Sequence, residues 1–234
     1  MRSLTKILFA AMLVFSMNSL LAKGDDRHLS GFNAISVSGS YDVYITQGAT
    51  ESVKVEAPDD ELNRIVTEVQ NGVLKIYNKK GSWSDWGWNN NHKKAVVYVS
   101  IKDINSIVIS GSGNVYFKDG ITANAFKLRL SGSADVLGKL NAKTLEATIS
   151  GSGNIKISGR ADNATVGVSG SGDYSAKDLV TVSTSIHVSG SGDASVNASQ
   201  KIDASVSGSG DVRYTGGASQ VTTSTHGSGS IHRM

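Results

Sequence analysis

A five-residue turn that returns at nearly fixed intervals constrains this chain more than any other feature. Ser110-Gly-Ser-Gly-Asn114 is followed by Ser131-Gly-Ser-Ala-Asp135, Ser150-Gly-Ser-Gly-Asn154, Ser169-Gly-Ser-Gly-Asp173, Ser189-Gly-Ser-Gly-Asp193 and Ser207-Gly-Ser-Gly-Asp211. A degenerate copy, His226-Gly-Ser-Gly-Ser230, closes the series. The intervals are 21, 19, 19, 20, 18 and 19 residues. A period near 20 means stacked supersecondary units that share one core, because no single unit can bury its own apolar face. At ~4.8 Å per coil, six intervals make a rod of roughly 30 Å beyond residue 110. The expected fold is therefore all-β, a β-solenoid resembling a parallel β-helix. The rival is a β-sandwich, which would show less regular intervals and less uniform turns.

The turn chemistry has a physical reading. Glycine permits positive φ and close backbone approach. Asn and Asp tolerate left-handed conformations and bond nearby backbone. The key turn positions are Gly111 and Asn114, Gly132 and Asp135, Gly151 and Asn154, Gly170 and Asp173, Gly190 and Asp193, Gly208 and Asp211. Stacking would put the Asx residues in one column. Such a column is first of all a set of turn residues. Calcium held between coils is the functional alternative, but each motif offers at most one acid.

Apolar residues alternate on both sides of each turn. Val108 precedes Val115 and Phe117, Leu128 and Leu130 precede Val136, and Val166 and Val168 precede Tyr174. A second apolar column is expected at Ala125, Leu145, Ala164 and Ala204. Upstream, residues 31–100 read as an irregular N-terminal β region. Ser38-Gly-Ser-Tyr-Asp42 is an early copy of the turn. Val53 and Val55 alternate with Lys54 and Glu56, as on a strand with one buried face. Pro58-Asp-Asp-Glu-Leu62 is the one helical turn. Asn71-Gly72 signals a hairpin between Ile65–Gln70 and Val73–Tyr77.

The organisation expected is residues 1–22 as a signal peptide, 23–30 as a polar leader, 31–100 as the irregular β region and 101–230 as the repeat. Arg2 and Lys6 precede an apolar run from Ile7 to Val14, which is too short to span a bilayer. Export follows, to the periplasm, the outer surface or the extracellular space. Loss of residues 1–22 lowers the formal charge from +3 to +1, with 21 basic against 20 acidic residues. No Lys/Arg stripe marks a nucleic-acid surface. The chain has no cysteine, so disulfides, thiolate nucleophiles and Cys-based metal sites are excluded.

Candidate chemistry is sparse. Gly81 to Lys94 holds all three tryptophans, Trp83, Trp86 and Trp88. Such aromatics stack on sugars or anchor a partner, or else fold back to cover an end of the stack. The histidines are scattered without ligand spacing. Some β-solenoids cleave polysaccharides with clustered acids, and Asp119, Asp162, Asp178 and Asp203 are the candidates for such a face. No metal, cofactor or catalytic residue is assigned.

The run Gly31-Phe-Asn-Ala-Ile-Ser-Val-Ser-Gly-Ser-Tyr-Asp-Val-Tyr-Ile-Thr-Gln-Gly48 resembles the opening of the DUF2807 family, the adhesin head or GIN domains of exported Bacteroidetes proteins. The likeness continues through Val53-Lys-Val-Glu-Ala57 and Thr67-Glu-Val-Gln-Asn-Gly-Val-Leu-Lys-Ile76 into the repeats, over nearly all of residues 31–215. It implies a β-helix-like fold and a cell-surface or periplasmic life. It carries over no catalytic or metal-binding residue. The function expected is a non-enzymatic, adhesin-type envelope or surface module whose partner is a glycan or an envelope protein. A polysaccharide-processing enzyme and a self-associating structural protein are the alternative classes.

Overall fold

The computed structural model describes residues 23–79 and 95–234. They form sixteen strands and one helical turn, joined in a single sheet system that winds through about seven turns of a β-solenoid. The long strands β9 (Val115–Gly132), β10 (Asp135–Gly151), β11 (Asn154–Gly170), β12 (Tyr174–Gly190) and β13 (Ala194–Gly208) each run through most of one coil. Each pairs in parallel with the next. The last full coil is built from β14 (Val212–Thr215) and β15 (Gln220–Gly227), both on β13, and β16 (Ile231–Arg233) opens a further coil on β14.

The corners explain the repeat. Gly151, Gly170, Gly190 and Gly208 have φ between +118° and +135°. A Cβ on Gly170 would sit 2.4 Å from the carbonyl oxygen of Gly151, one coil below. That same Gly151 oxygen accepts two backbone N–H groups from the next coil, Ser171 at 2.9 Å and Gly172 at 3.0 Å. The Gly170 carbonyl receives Ser191 and Gly192, and the Gly190 carbonyl receives Ser209 and Gly210. Serine and glycine thus supply the two donors, and the first glycine supplies an acceptor that no side chain obstructs. Where alanine replaces the second glycine, at Ala134, the bond from Ser133 to Gly111 remains at 2.9 Å.

The stack does not begin at residue 101. β2 (Ala34–Gly39) lies in parallel register between β6 (Val73–Asn78) and β8 (Ser106–Gly111), and β3 (Asp42–Gln47) lies likewise between β7 (Val96–Ile101) and β9. The turn at Ser38–Asp42 is therefore a true corner, and much of the N-terminal region already belongs to the solenoid. Its spacing looks irregular because antiparallel segments interrupt it. β4 (Ser52–Ala57) pairs antiparallel with β7, and β5 (Ile65–Gln70) with β6 across the Asn71-Gly72 hairpin. Both hairpin residues have positive φ, 52° and 76°, as that turn type demands. The helical turn α1 (Asp59–Leu62) follows Pro58 and links β4 to β5, burying Leu62. The leader differs from expectation as well. Lys23–Arg27 is strand β1, antiparallel to β4, and its charged sequence suits the edge of a sheet.

One continuous apolar cluster runs the length of the described stack. Two expected core positions are on the surface. Val108 is exposed, with Ile107 and Ile109 turned inward, and Ala125 is exposed while Phe126 is buried. The second apolar column is Phe126, Leu145, Ala164, Thr184 and Ile202. Thr184 is tolerated inside because its hydroxyl meets that of Thr181 at 2.7 Å, and Thr181 also reaches the carbonyl of Asn197. Glycine at position 138 makes room for a ring, since a Cβ there would lie 1.9 Å from Phe117. Phe117 in turn meets Phe126 edge-on at 6.1 Å.

Two glycines in one coil separate corner strain from mere loss of flexibility. Gly167→Ala places its Cβ no nearer than 3.9 Å to a side chain and is expected to leave stability unchanged or raised by about 0.5 kcal/mol. Gly170→Ala combines a forbidden φ with a backbone clash and is expected to cost roughly 3 kcal/mol or more. Denaturant unfolding of the two variants checks this; equal stabilities would refute the corner account.

Candidate functional site

The Asx column is a second ladder beside the glycine carbonyls. The backbone N–H of Asn114 bonds Asp42 Oδ1 at 3.2 Å, and that of Asp135 bonds Asn114 Oδ1 at 3.2 Å. Asp173 donates its N–H to Asn154 Oδ1, Asp193 to Asp173 Oδ1, Asp211 to Asp193 Oδ1 and Ser230 to Asp211 Oδ1, at 2.9 to 3.0 Å. Between coils 135 and 154 the arrangement changes: Asn154 Nδ2 bonds Asp135 Oδ1, and the Asn154 N–H goes to the carbonyl of Ala134. What the position requires is an oxygen acceptor on a short side chain, which Asp and Asn both provide. Arg213 bridges the two last acids, 3.1 Å from Asp193 and 3.3 Å from Asp211. The Ser230 hydroxyl and N–H, helped by Arg213 and His232, hold the Asp211 carboxyl below the usual carboxylate range. No group of three or more His, Asp or Glu side chains placed to hold a metal ion occurs among the described residues.

Two residues beyond the Asx position, side chains point out of the neighbouring flat face. There Tyr98, Tyr44 and Tyr116 stand on adjacent strands β7, β3 and β9. Tyr44 and Tyr116 stack with centroids 4.8 Å apart, and Tyr44 and Tyr98 at 5.5 Å, both with planes 21° apart. Tyr44 is 39% and Tyr98 42% exposed. The result is a comb of three phenol rings at the pitch of the coils, with Tyr44 and Tyr98 exposed and the Tyr98 hydroxyl bonded to Glu56. Strand pairing sets the spacing, so the comb is rigid before any ligand arrives. Partial desolvation and then Glu56 raise the Tyr98 hydroxyl above its ordinary value, so it stays a neutral donor. Lys118 lies over the Tyr116 ring, 5.3 Å from its centroid.

Sequence reading overlooked this comb, although the signal was present. Tyr44 follows Asp42, and Tyr116 follows Asn114, by the same two residues. Trp83, Trp86 and Trp88 lie outside the described residues. The flanking residues are described: Asn78 ends β6, and the carbonyl of Ala95 accepts the N–H of Asp42. In sequence, the tryptophan segment connects β6 to β7. The four acids proposed for polysaccharide cleavage are not brought together. Asp203 is in register with Ser185 on the face before the turn, Asp162 lines a shallow cavity with Lys143 and Arg160, Asp119 takes a long bond from Thr46, and Asp178 sits at a strand irregularity one coil beyond Asp162. The exposed pair His187 and Ser205, at 2.7 Å, lies on the open sheet face.

The sequence profile described as "Putative auto-transporter adhesin, head GIN domain" matches residues 31–218. The chain belongs to the DUF2807 family. Its fold is shared with solved structures. A "putative adhesin" of Bacteroides fragilis is 25% identical, with a TM-score of 0.85 over 91% of this chain and 96% of that one. A "putative lipid binding protein" of Parabacteroides distasonis is 26% identical, with a TM-score of 0.71 over 91% and 96%. A "putative adhesin" of Parabacteroides merdae, at 21% identity and a TM-score of 0.70 over 93% and 97%, shares the fold. Among curated proteins no sequence match is found. No helix among the described residues is long and apolar enough to cross a membrane. For this DUF2807 chain the family and its neighbours are consistent with a surface binding module, built on the corner ladder.

Two substitutions read the ladder. Asp173→Asn keeps the acceptor for the Asp193 N–H and is expected to be near neutral, whereas Asp173→Ala is expected to cost about 1 kcal/mol. The acid limb reports Asp211. Its depressed pKa means that its contribution is complete above the unfolded carboxylate value, ~3.9, and is lost as pH falls through the lower folded value. Melting temperature measured from pH 5 downward should decline for the parent, and Asp211→Asn should flatten that decline; identical acid limbs would contradict it.

Proposed function

We propose that this chain is an exported, non-enzymatic envelope or surface module that binds glycan. The observation that carries the reading is the exposed, pre-stacked comb Tyr98–Tyr44–Tyr116. Isolated surface aromatics are ordinary, but three held in register on a rigid sheet lose little entropy on binding. Their ring centroids repeat at 4.8 and 5.5 Å, near the length of one pyranose ring, so successive sugars meet successive phenols. Trp83, Trp86 and Trp88 belong to the same hypothesis, because their residue type stacks on sugar rings. The expected signal peptide at residues 1–22 and the adhesin-type family support export. The separated positions of Asp119, Asp162, Asp178 and Asp203 favour binding over cleavage.

Titration of the mature chain with a panel of envelope oligosaccharides, followed by calorimetry, tests this. Tyr44→Thr, Tyr98→Thr and Tyr116→Thr together keep strand propensity and are expected to weaken binding at least tenfold, about 1.4 kcal/mol. Trp83→Ala, Trp86→Ala and Trp88→Ala together measure the tryptophan contribution separately. Phosphatidylcholine vesicles serve as the competing ligand, given how the Parabacteroides distasonis neighbour is described. Unchanged affinity in the folded tyrosine variant would remove the comb from the site, and vesicle binding without glycan binding would replace the reading.

A further inference from the structure

The residues beside the comb narrow the ligand further. In the column of Tyr98, Tyr44 and Tyr116, strand register continues to Leu137 and Lys156 on one side and Lys54 on the other. At ~4.8 Å per strand those six positions span about 24 Å, room for several sugar rings laid along the solenoid axis. Two residues farther out along the strands stand Lys118, Lys139 and Lys177. Each of four successive coils therefore presents one exposed lysine on this face: Lys118 on β9, Lys139 on β10, Lys156 on β11 and Lys177 on β12. None of the four has an ion-pair partner among the described residues, whereas Lys54 is taken by Glu56 at 2.7 Å and Arg213 by Asp193 and Asp211.

The acids nearby lie at the two margins of the face, at the corner and beyond the outer lysines. On these four coils the outward positions of the face are Asn114, Tyr116 and Lys118, then Asp135, Leu137 and Lys139, then Asn154, Lys156 and Ser158, then Asp173, Ser175 and Lys177. The acids among them, Asp135 and Asp173, use Oδ1 as ladder acceptors at the corner. Asp119 takes a bond from Thr46, and Asp178 follows Lys177 at the far margin. The lysines begin on β9, the strand that carries the last tyrosine, and continue along the solenoid axis over the next three coils. They fit a polymer that carries both hydroxyls and regularly spaced negative charge.

We propose that the ligand is an acidic glycan, its carboxylate or sulfate groups meeting Lys118, Lys139, Lys156 and Lys177 while its hydroxyls meet the tyrosine comb. This rests on the glycan reading above and specifies the class of sugar. A line of exposed lysines binds polyanions through attraction that salt screens, with a Debye length of ~10 Å at 0.1 M. Length should matter as well, because each added sugar reaches one more coil.

The test compares two probes that share linkage and differ in charge, β-1,4-linked mannuronate oligomers and β-1,4-linked mannan oligomers of equal length, titrated into the mature chain at low and high salt. The expected result is at least tenfold tighter binding of the mannuronate hexamer at low salt. The advantage should shrink at high salt and grow with oligomer length. Replacing the four lysines by threonine is expected to abolish the preference while leaving the mannan affinity unchanged, and the thermal melt of that variant confirms folding. A sulfated mannan series separates sulfate from carboxylate. Equal affinity for both probes, or a mannuronate preference that survives loss of the four lysines, overturns the inference and leaves the glycan reading standing. Binding of neither probe, with capture by phosphatidylglycerol vesicles instead, overturns both.

Discussion

One backbone contact governs this molecule: the carbonyl of a corner glycine receiving two N–H groups from the coil above. A parallel stack must turn its chain sharply once per coil, and a sharp turn exposes donors that the strand ladder cannot use. Here the next coil down satisfies them. The arrangement works only if nothing projects from the glycine, because a Cβ there would fall within 2.5 Å of the equivalent glycine carbonyl one coil below. The Asx side chain then fills the remaining need, accepting the N–H that follows the corner. Six recurrences of one short sequence are thus six copies of one hydrogen-bonding problem and its solution.

From that constraint the surfaces follow. Corners that superimpose force the strands between them to superimpose, so each outward position becomes a column with one residue per coil. A substitution in one coil is a local change, but a residue type retained through several coils becomes a row with a fixed pitch. The tyrosine comb is a row of this kind, and the lysines continue from it on the next coils. They depend on the corners for their spacing while contributing little to the core. A rigid, flat, periodic face is suited to an extended periodic ligand, which is the physical content of calling this DUF2807 member a binding module.

The architecture was legible because the turn repeats in chemistry as well as in spacing. Phase was harder. Counting forward from one turn misplaces the second apolar column, because β9 carries extra residues where its register slips against Gly138 and Leu140. Counting back five residues from the serine that opens the next turn gives Phe126, Leu145, Ala164, Thr184 and Ile202, the column observed. Ala125 falls one residue short of that column, and Val108 lies between the two inward residues Ile107 and Ile109. Lys23–Arg27 was unreadable for another reason. Its polar sequence has no strand pattern of its own, and it is ordered by pairing with β4. The comb needed two turns to be superimposed before Tyr44 and Tyr116 fell together, and Tyr98 joins them only through the fold, because no turn motif precedes β7 in the sequence.

Hydrogen exchange resolved to single amides tests the governing contact most directly. Ser171, Ser191 and Ser209 have exposed or half-exposed side chains at the corners, where amides in ordinary surface turns exchange freely. The account predicts that their N–H groups, and those of Gly172, Gly192 and Gly210, are protected as strongly as the strand amides of β11, β12 and β13. They should open together with those strands in one cooperative event. Corner amides that exchange at turn-like rates, while the strands stay protected, would show that the strands hold the corners rather than the reverse, and would contradict the account.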